Sequence, residues 1–360
     1  MKRICFFSGD ITNSGGTERV GTIIANELAK LKDKYTISFL SLVEKKSESF
    51  FYIDECIKRS KLYDKPVKGS THYFQICSKL YKYISRNNID ILIDIDGILD
   101  MYSLVVKMFI KVKVISWEHF NFYQHPAVRY RKYTRALAGK YSDGIVTLTK
   151  EDMEYYKENL NIKVPITYIH NPVILSHDYD YNRESKILLS VGRLTYQKGF
   201  DMLIDVAYKV LNKHIDWKWI ILGDGEDKEK LQEKINKLSL QDRVILEGNV
   251  SNISDYYKAA GIFVLTSRYE GLPMTLLESK EYKLPAVSFD IKTGPKECII
   301  DNINGNLIRE FDIDEMSFKL CNLMEDKSLR EKYSSHALDN YDNFKLENVV
   351  NDWVKLLGSI

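Results

Sequence analysis

The chain has 360 residues and lacks several things that would have assigned it quickly. Its five cysteines, Cys5, Cys56, Cys77, Cys298 and Cys321, are odd in number, scattered and without a C-x-x-C pair. That argues against a disulfide framework or a cysteine metal cluster and predicts a reducing compartment. No run of about 18 uncharged apolar residues occurs, so no membrane-spanning helix is expected. The best candidate, Met101 to Trp117, is interrupted by Lys107, Lys111 and Lys113. Before Ser8 the N-terminus offers only Ile4-Cys5-Phe6-Phe7, too short for a signal peptide, and export is not expected. No charge sign dominates: 52 basic residues face 50 acidic ones, a net charge of +2. This excludes a globally basic nucleic-acid binder. Internal repeats of 20–50 residue period and low-complexity tracts are also missing. The fingerprint G-x-G-x-x-G is absent from the N-terminal loop, and G-x-x-x-x-G-K-[ST] from the whole chain. NAD-binding and P-loop readings therefore lose their usual support.

What is present is the composition of a globular chain, 44% hydrophobic and 28% charged. The length exceeds one ordinary core and predicts two domains. Short apolar runs recur at strand length: Ile4–Phe7, Thr36–Leu42, Ile89–Ile95, Val112–Ser116, Gly144–Leu148 and Ile166–Ile169, then Ile187–Val191, Trp219–Leu222, Val244–Leu246, Ile262–Leu265 and Ala286–Phe289. Most carry β-branched residues on both parities, as strands buried on both faces do, which predicts parallel sheets covered by helices. Helical stripes follow glycine-containing loops, with Val20, Ile23, Ile24, Leu28 and Leu31 after Thr17, and Leu203, Ile204, Ala207, Val210 and Leu211 after Gly199. Asn171-Pro172 and the polar stretch after His177 predict a linker over 172–184. Two α/β domains result, 1–171 and 185–343. Ligands of open α/β sheets sit beyond the carboxyl ends of the strands, so the two sets of loops are expected to face each other across a central cleft.

Four loops carry the chemistry. Ser8 to Gly16 ends in paired glycines at a helix start, where backbone amides and the helix dipole suit a phosphate or a sugar face. In Gly192-Arg193-Leu194-Thr195-Tyr196-Gln197-Lys198-Gly199, a guanidinium and an ammonium follow a strand and are able to neutralise a diphosphate. Gly223-Asp224-Gly225 is a second glycine turn in the same half. The sharpest segment is Thr266 to Glu278. Gly271 permits a tight turn, Pro273 suits the first helical turn, and the amides there can meet a phosphate. Glu278 follows about one turn into that helix, placed to accept hydrogen bonds from a ribose diol. Glu270, just before the turn, can reach the hydroxyls of a sugar attached to the phosphates. These two carboxylates read as hydroxyl acceptors on either side of a diphosphate, not as a general acid and base.

The order Gly15-Gly16, Gly192-Arg193 with Lys198, Gly223-x-Gly225, then Glu270 and Glu278 with Gly271-Leu272-Pro273 between them, resembles family 4 of the retaining glycosyltransferases over nearly the whole chain. The resemblance implies the GT-B fold, two Rossmann-like domains with parallel sheets facing across a cleft, and a last helix, 344–360, returning to the first domain. It implies a nucleotide-diphosphate sugar, of the UDP-sugar kind, as donor, with no cofactor and no bound metal. Arg193 and Lys198 would hold the diphosphate, Glu278 the ribose and Glu270 the transferred sugar, with Gly15, Gly16, Gly223, Gly271, Leu272 and Pro273 around them. His119, after the strand ending in Ser116-Trp117, occupies the place where the family has a histidine near the donor sugar. The catalytic set is thus His119, Arg193, Lys198 and Glu270, and front-face attack with retention is the implied course.

The acceptor side is read from charge. Between 101 and 140 the basic residues Lys107, Lys111, Lys113, Arg129, Arg131, Lys132, Arg135 and Lys140 face a single acid, Glu118. Cations and aromatics over 127–137 follow helical spacing and predict an interfacial helix on anionic lipid, with Arg129, Arg131, Lys132 and Arg135 on the membrane side. A polyprenyl-diphosphate-linked glycan acceptor fits that face, in capsule, exopolysaccharide or O-antigen synthesis at the cytoplasmic face of the plasma membrane. No RNA module accompanies the patch, so no nucleic-acid partner is expected. Glu118 and Asn121 either contact the acceptor or shape their loop, and Asp94 and Asp96 either line the acceptor side or form a turn. Two other classes remain open: a nucleotide-sugar epimerase or hydrolase of the same fold, and a non-catalytic nucleotide-sugar-binding module.

Overall fold

A computed structural model of the chain describes residues 1–124, 130–174 and 179–360. They form two compact units, Met1–Pro172 with Leu346–Ile360, and Val173–Lys345. Unit 1 runs β1 (Lys2–Ser8), α1 (Gly16–Lys30), β2 (Tyr35–Val43), β3 (Lys58–Tyr63), α2 (Tyr73–Asn87), β4 (Ile91–Ile95), α3 (Asp100–Lys107), β5 (Lys113–Trp117), α4 (Arg131–Tyr141), β6 (Gly144–Thr147), α5 (Lys150–Asn159) and β7 (Ile166–Tyr168). Unit 2 runs β8 (Ile187–Val191), α6 (Phe200–Leu211), β9 (Lys218–Leu222), α7 (Lys228–Lys237), β10 (Val244–Gly248), α8 (Ile253–Ala259), β11 (Ile262–Leu265), α9 (Met274–Glu281), β12 (Ala286–Phe289), α10 (Pro295–Cys298), β13 (Gly305–Ile308), α11 (Ile313–Glu325) and α12 (Lys327–Ser335). The last helix, α13 (Leu346–Ser359), belongs to unit 1.

Both sheets are parallel, ordered β3-β2-β1-β4-β5-β6-β7 and β10-β9-β8-β11-β12-β13. The order reverses beside the first strand of each unit, between β1 and β4 and between β8 and β11. At such a reversal the loops leaving the two neighbouring strands diverge, and a crevice opens for a ligand. The loops that open there are those after Ser8, Ile95, Val191 and Leu265.

The core follows from the strand sequences. Cys5, Phe7, Leu40, Leu92 and Val114 pack with Ile76 and Leu80 of α2 in unit 1. Leu188, Trp219, Ile221, Val264 and Val287 pack with Leu203, Val210 and Leu320 in unit 2. Each such side chain contributes roughly 1.5–3 kcal/mol on leaving water. Trp353 of α13 is fully buried, 4.7 Å from Trp117 between ring centroids, so the C-terminal helix seals the end of β5. Two strands escape the sequence pattern. β3, Lys-Arg-Ser-Lys-Leu-Tyr, is a charged edge strand, which guards against pairing with another chain. β13 is a four-residue edge strand opening with glycine.

Candidate active site

Unit 2 concentrates the predicted donor residues on loops at its strand-order reversal. After β8 the chain makes a short 3-10 turn over Tyr196–Lys198 and closes on Gly199. Gly199 has φ +66°, and a Cβ there would lie 2.1 Å from the carbonyl oxygen of Thr266. Only glycine allows the β8 loop to touch the β11 loop so closely. Gly223, φ +127°, does the same for the β9 loop, since its Cβ would fall 2.0 Å from Gly192 O. The Lys198 stem lies over Gly192, and Arg268 N donates to Gln197 O at 2.7 Å.

On this frame Lys198 Nζ donates to Glu270 Oε1 at 2.6 Å, and the Ser267 hydroxyl donates to the same oxygen at 2.6 Å. Gln197 donates to Tyr269 O at 3.1 Å, and the Thr293 hydroxyl donates to Glu270 O at 2.6 Å. Glu270 is buried, whereas Lys198 is partly open and Arg193 is exposed on the same β8 loop. The structure therefore pairs two residues that the sequence reading had placed separately, on the diphosphate and on the sugar. Pro273 caps α9 instead of entering its first turn, with φ −76° and the helix beginning at Met274. Glu278 stands one turn in, half-buried, and accepts from the Tyr257 hydroxyl at 3.1 Å. Tyr257 stacks on Tyr282, and Tyr282 on Tyr179, at 5.0 and 4.8 Å. Tyr257, Ser267 and Gln197 are supporting residues the sequence reading missed. Only the placing of Ser267 three residues before Glu270 offered a signal.

In unit 1, Gly15 caps α1, and Gly16 opens it with nothing within 4 Å of where a Cβ would stand. His119 follows β5, is buried, and packs against Trp117 at 4.5 Å. Burial pushes its pKa down to about 4; Arg131 acts in the same direction and Glu118 against it. The imidazole is thus neutral at physiological pH, and its Nε2 has no hydrogen-bond partner among the described residues.

Of the remaining unit 1 expectations, the membrane-facing placement of Arg131 and Arg135 needs correction, while the loop and turn alternatives for Glu118, Asn121 and Asp96 fit the structure. Glu118 is 1% exposed and receives Arg131 Nη1 at 2.8 Å, Arg135 Nε at 2.9 Å and the Tyr156 hydroxyl at 3.1 Å. Burial alone would raise its pKa, but the guanidiniums of Arg135 and Arg131 hold it below the usual carboxylate value. Arg131 also grips Asp96 through both carboxylate oxygens, at 2.5 and 3.1 Å. Arg135 donates to the carbonyls of Phe120 and Asn121. Arg131 and Arg135 are each 2% exposed, so neither faces a membrane. The buried carboxylates Asp96 and Glu118 draw them inward, since an unpaired buried charge is far costlier than a paired one. Glu118 is thereby committed to holding this cluster. The Asn121 side chain accepts from Tyr123 N at 2.8 Å within its own loop. Asp96 makes the turn at Ile98 N, and Asp94 is buried inside β4 with the Ser103 hydroxyl on it. Of the predicted basic stripe, Lys132 is exposed and Arg129 lies outside the described residues.

Among the described residues no helix is long and apolar enough to cross a membrane, and no three His, Cys, Asp or Glu gather as a metal site.

Two parallel Rossmann-like sheets, each with glycine turns and charged side chains at its strand-order reversal, are the architecture of the GT-B class, and the chain's relatives make it a glycosyltransferase. The family profile "Glycosyltransferase Family 4" matches residues 14–177 and "Glycosyl transferases group 1" matches 176–339. An uncharacterized glycosyltransferase of Haemophilus influenzae is 31% identical, covering 99% of this chain and 100% of its own. The amylovoran biosynthesis glycosyltransferase AmsD of Erwinia amylovora is 30% identical, with 99% and 100% covered. A Campylobacter jejuni α-1,4-N-acetyl-D-galactosaminyltransferase named for a diNAcBac-PP-undecaprenol-linked glycan is 26% identical, with 100% and 99% covered. In fold, the chain matches TarM of S. aureus, crystallised with UDP, at TM-score 0.79 and 17% identity over 99% of both chains. The chain belongs to the family 4 glycosyltransferases.

Proposed function

We propose that the chain is a retaining transferase. It moves a hexose-type sugar from a nucleoside-diphosphate sugar, of the UDP-sugar class, to a hydroxyl of a polyprenyl-diphosphate-linked glycan. The carrying observation is the Lys198–Glu270 pair, 2.6 Å apart where the strand order of unit 2 reverses. Lys198 and exposed Arg193 meet the diphosphate, with no resident metal, while Glu270 and Glu278 accept from hydroxyls of the sugar and the ribose. Breaking the bond from the anomeric carbon to the phosphate oxygen builds negative charge on the leaving diphosphate. Preplaced cations stabilise that charge by several kcal/mol in a site that excludes water. Glu270 is held by Lys198 and Ser267, so it suits hydroxyl binding better than nucleophilic attack. The acceptor hydroxyl then attacks the face that the phosphate leaves, and its proton passes to the departing phosphate oxygen. His119, neutral and with its buried Nε2 unpartnered among the described residues, is the group proposed to hydrogen-bond a sugar hydroxyl.

The names of the Erwinia and Campylobacter relatives support polysaccharide or lipid-linked glycan biosynthesis as the setting; that the enzyme works peripherally on the inner face of the plasma membrane is part of the proposal. The test is proton NMR of the first-formed product from a nucleotide sugar and a polyprenyl-diphosphate glycan. A new linkage with the donor's anomeric configuration is expected. An inverted product overturns the mechanism, and free or epimerised sugar from donor alone overturns the transferase reading.

A further inference from the structure

The carboxylate of Glu278 is oriented from outside its own helix. Tyr257 lies on α8 and is 1% exposed. Its hydroxyl stands 3.1 Å from Glu278 Oε2 and 3.2 Å from the carbonyl oxygen of Thr275, both on α9. A phenol has one proton to give, and the charged acceptor makes the stronger bond.

The Tyr257 ring has little freedom to move. It stacks on Tyr282 with centroids 5.0 Å apart and planes 9° apart, and Tyr282 stacks on Tyr179 at 4.8 Å and 17°. Lys258 Nζ lies 4.8 Å from the centre of the Tyr179 ring and steadies the outer member of the stack. Phe263 of β11 meets the Tyr257 ring at 6.1 Å. Tyr282 is the residue that caps α9, one turn beyond Glu278, so the stack and the carboxylate are tied to the same helix. A buried and stacked phenol therefore delivers its proton to one oxygen of a half-buried carboxylate.

That arrangement bears on which nucleotide the site accepts. An untethered glutamate has three rotatable bonds and turns towards whichever hydroxyl or water is offered. A carboxylate pinned at Oε2 presents its remaining lone pairs in a set direction. A ribose hydroxyl that meets them gains a charge-assisted hydrogen bond. A deoxyribose leaves part of a desolvated carboxylate without a donor, and a site built to bond a hydroxyl rejects the analogue that lacks it.

We propose that Tyr257 is a positioning residue that makes the site select ribonucleoside over 2′-deoxyribonucleoside diphosphates, by fixing Glu278 against the ribose hydroxyls. This rests on the assignment of Glu278 to the ribose in the function proposed above.

The test is calorimetric titration of the full chain with UDP and with 2′-deoxy-UDP. Wild type is expected to prefer UDP by about tenfold or more, the worth of one charge-assisted hydrogen bond. Tyr257→Phe keeps the ring and its stack, is expected to stay folded in urea unfolding, and should bring the preference down to about threefold or less, chiefly by weakening UDP. Glu278→Gln is expected to lower the preference as far, and adding Tyr257→Phe to it should change nothing more, because the two side chains act as one unit. A Tyr257→Phe protein with the wild-type preference overturns the inference. So does one that binds both nucleotides more weakly by the same factor, since that makes Tyr257 a packing residue. A Glu278→Gln protein that keeps the full preference overturns the ribose assignment itself, and with it this inference, so the two failures are told apart. A wild type that binds neither nucleotide overturns the UDP-class donor and this inference together.

Discussion

Replacing Lys198 with alanine separates a catalytic cation from a structural one. Its ammonium contacts Glu270 at 2.6 Å, with side chains 18% and 7% exposed, between the regimes of surface and buried pairs. Surface pairs are worth about 0–1 kcal/mol, and breaking a buried pair costs about 3–5 kcal/mol. Glu270 keeps the Ser267 hydroxyl at 2.6 Å after the substitution, so the stability loss is expected at roughly 1–3 kcal/mol, which a folded domain survives. The loss in turnover is expected to be larger. Removing one preorganised donor from a developing oxyanion costs about 3–4 kcal/mol, and each 1.36 kcal/mol is tenfold in rate. Turnover at saturating donor should therefore fall by about 10²–10³. Lys198→Met, which keeps a stem over Gly192, controls for packing and should fall equally. The assay is initial-rate transfer to a glycan acceptor beside urea unfolding of each variant. Turnover within a few-fold of wild type in a folded Lys198→Ala protein would refute the diphosphate role.

Other outcomes follow from the same structure. Glu118→Gln leaves the buried guanidiniums of Arg131 and Arg135 short of a counter-charge and should cost about 3–5 kcal/mol in urea unfolding, with no such loss for an exposed Glu→Gln control. Gly199→Ala forces an L side chain to φ +66° against Thr266 O, costing about 1–3 kcal/mol, and should weaken donor binding by calorimetry because the displaced loop carries Glu270. Burial pushes the Asp152 pKa up to about 7 from the ordinary 3.8. Its protonated form therefore favours folding fully below about pH 4, and that stability is lost as pH rises towards 7. Asp152→Asn should remove up to about 4 kcal/mol of this decline, read by denaturation between pH 4 and 8. With its pKa near 4, His119 contributes no step around pH 6.5 to the pH–rate profile. A His119→Asn variant should therefore lose activity without shifting that profile.

How much of this was legible beforehand depended on whether a feature is local. Strands buried on both faces announced themselves through runs such as Ile262–Leu265, and Gly199 and Gly223 marked their turns. The edge strand β3 did not, because its lysines and arginine suit solvent better than a core. Glu270 and Glu278 were singled out by position, but the grip of Lys198 on Glu270, and of Tyr257 on Glu278, joins separate segments that spacing does not connect. The basic stretch between 101 and 140 misled for a related reason. Arg131 and Arg135 count as surface charge in composition, yet Asp96, 35 residues before Arg131, and Glu118 bury them.

The most direct measurement is a crystal structure of the chain with a nucleoside-diphosphate sugar bound. The account predicts its diphosphate within hydrogen-bonding distance of Arg193 and Lys198, with ribose oxygens on Glu278 and the sugar's hydroxyls on Glu270. Density for the nucleotide sugar elsewhere, with those four side chains untouched, would contradict it.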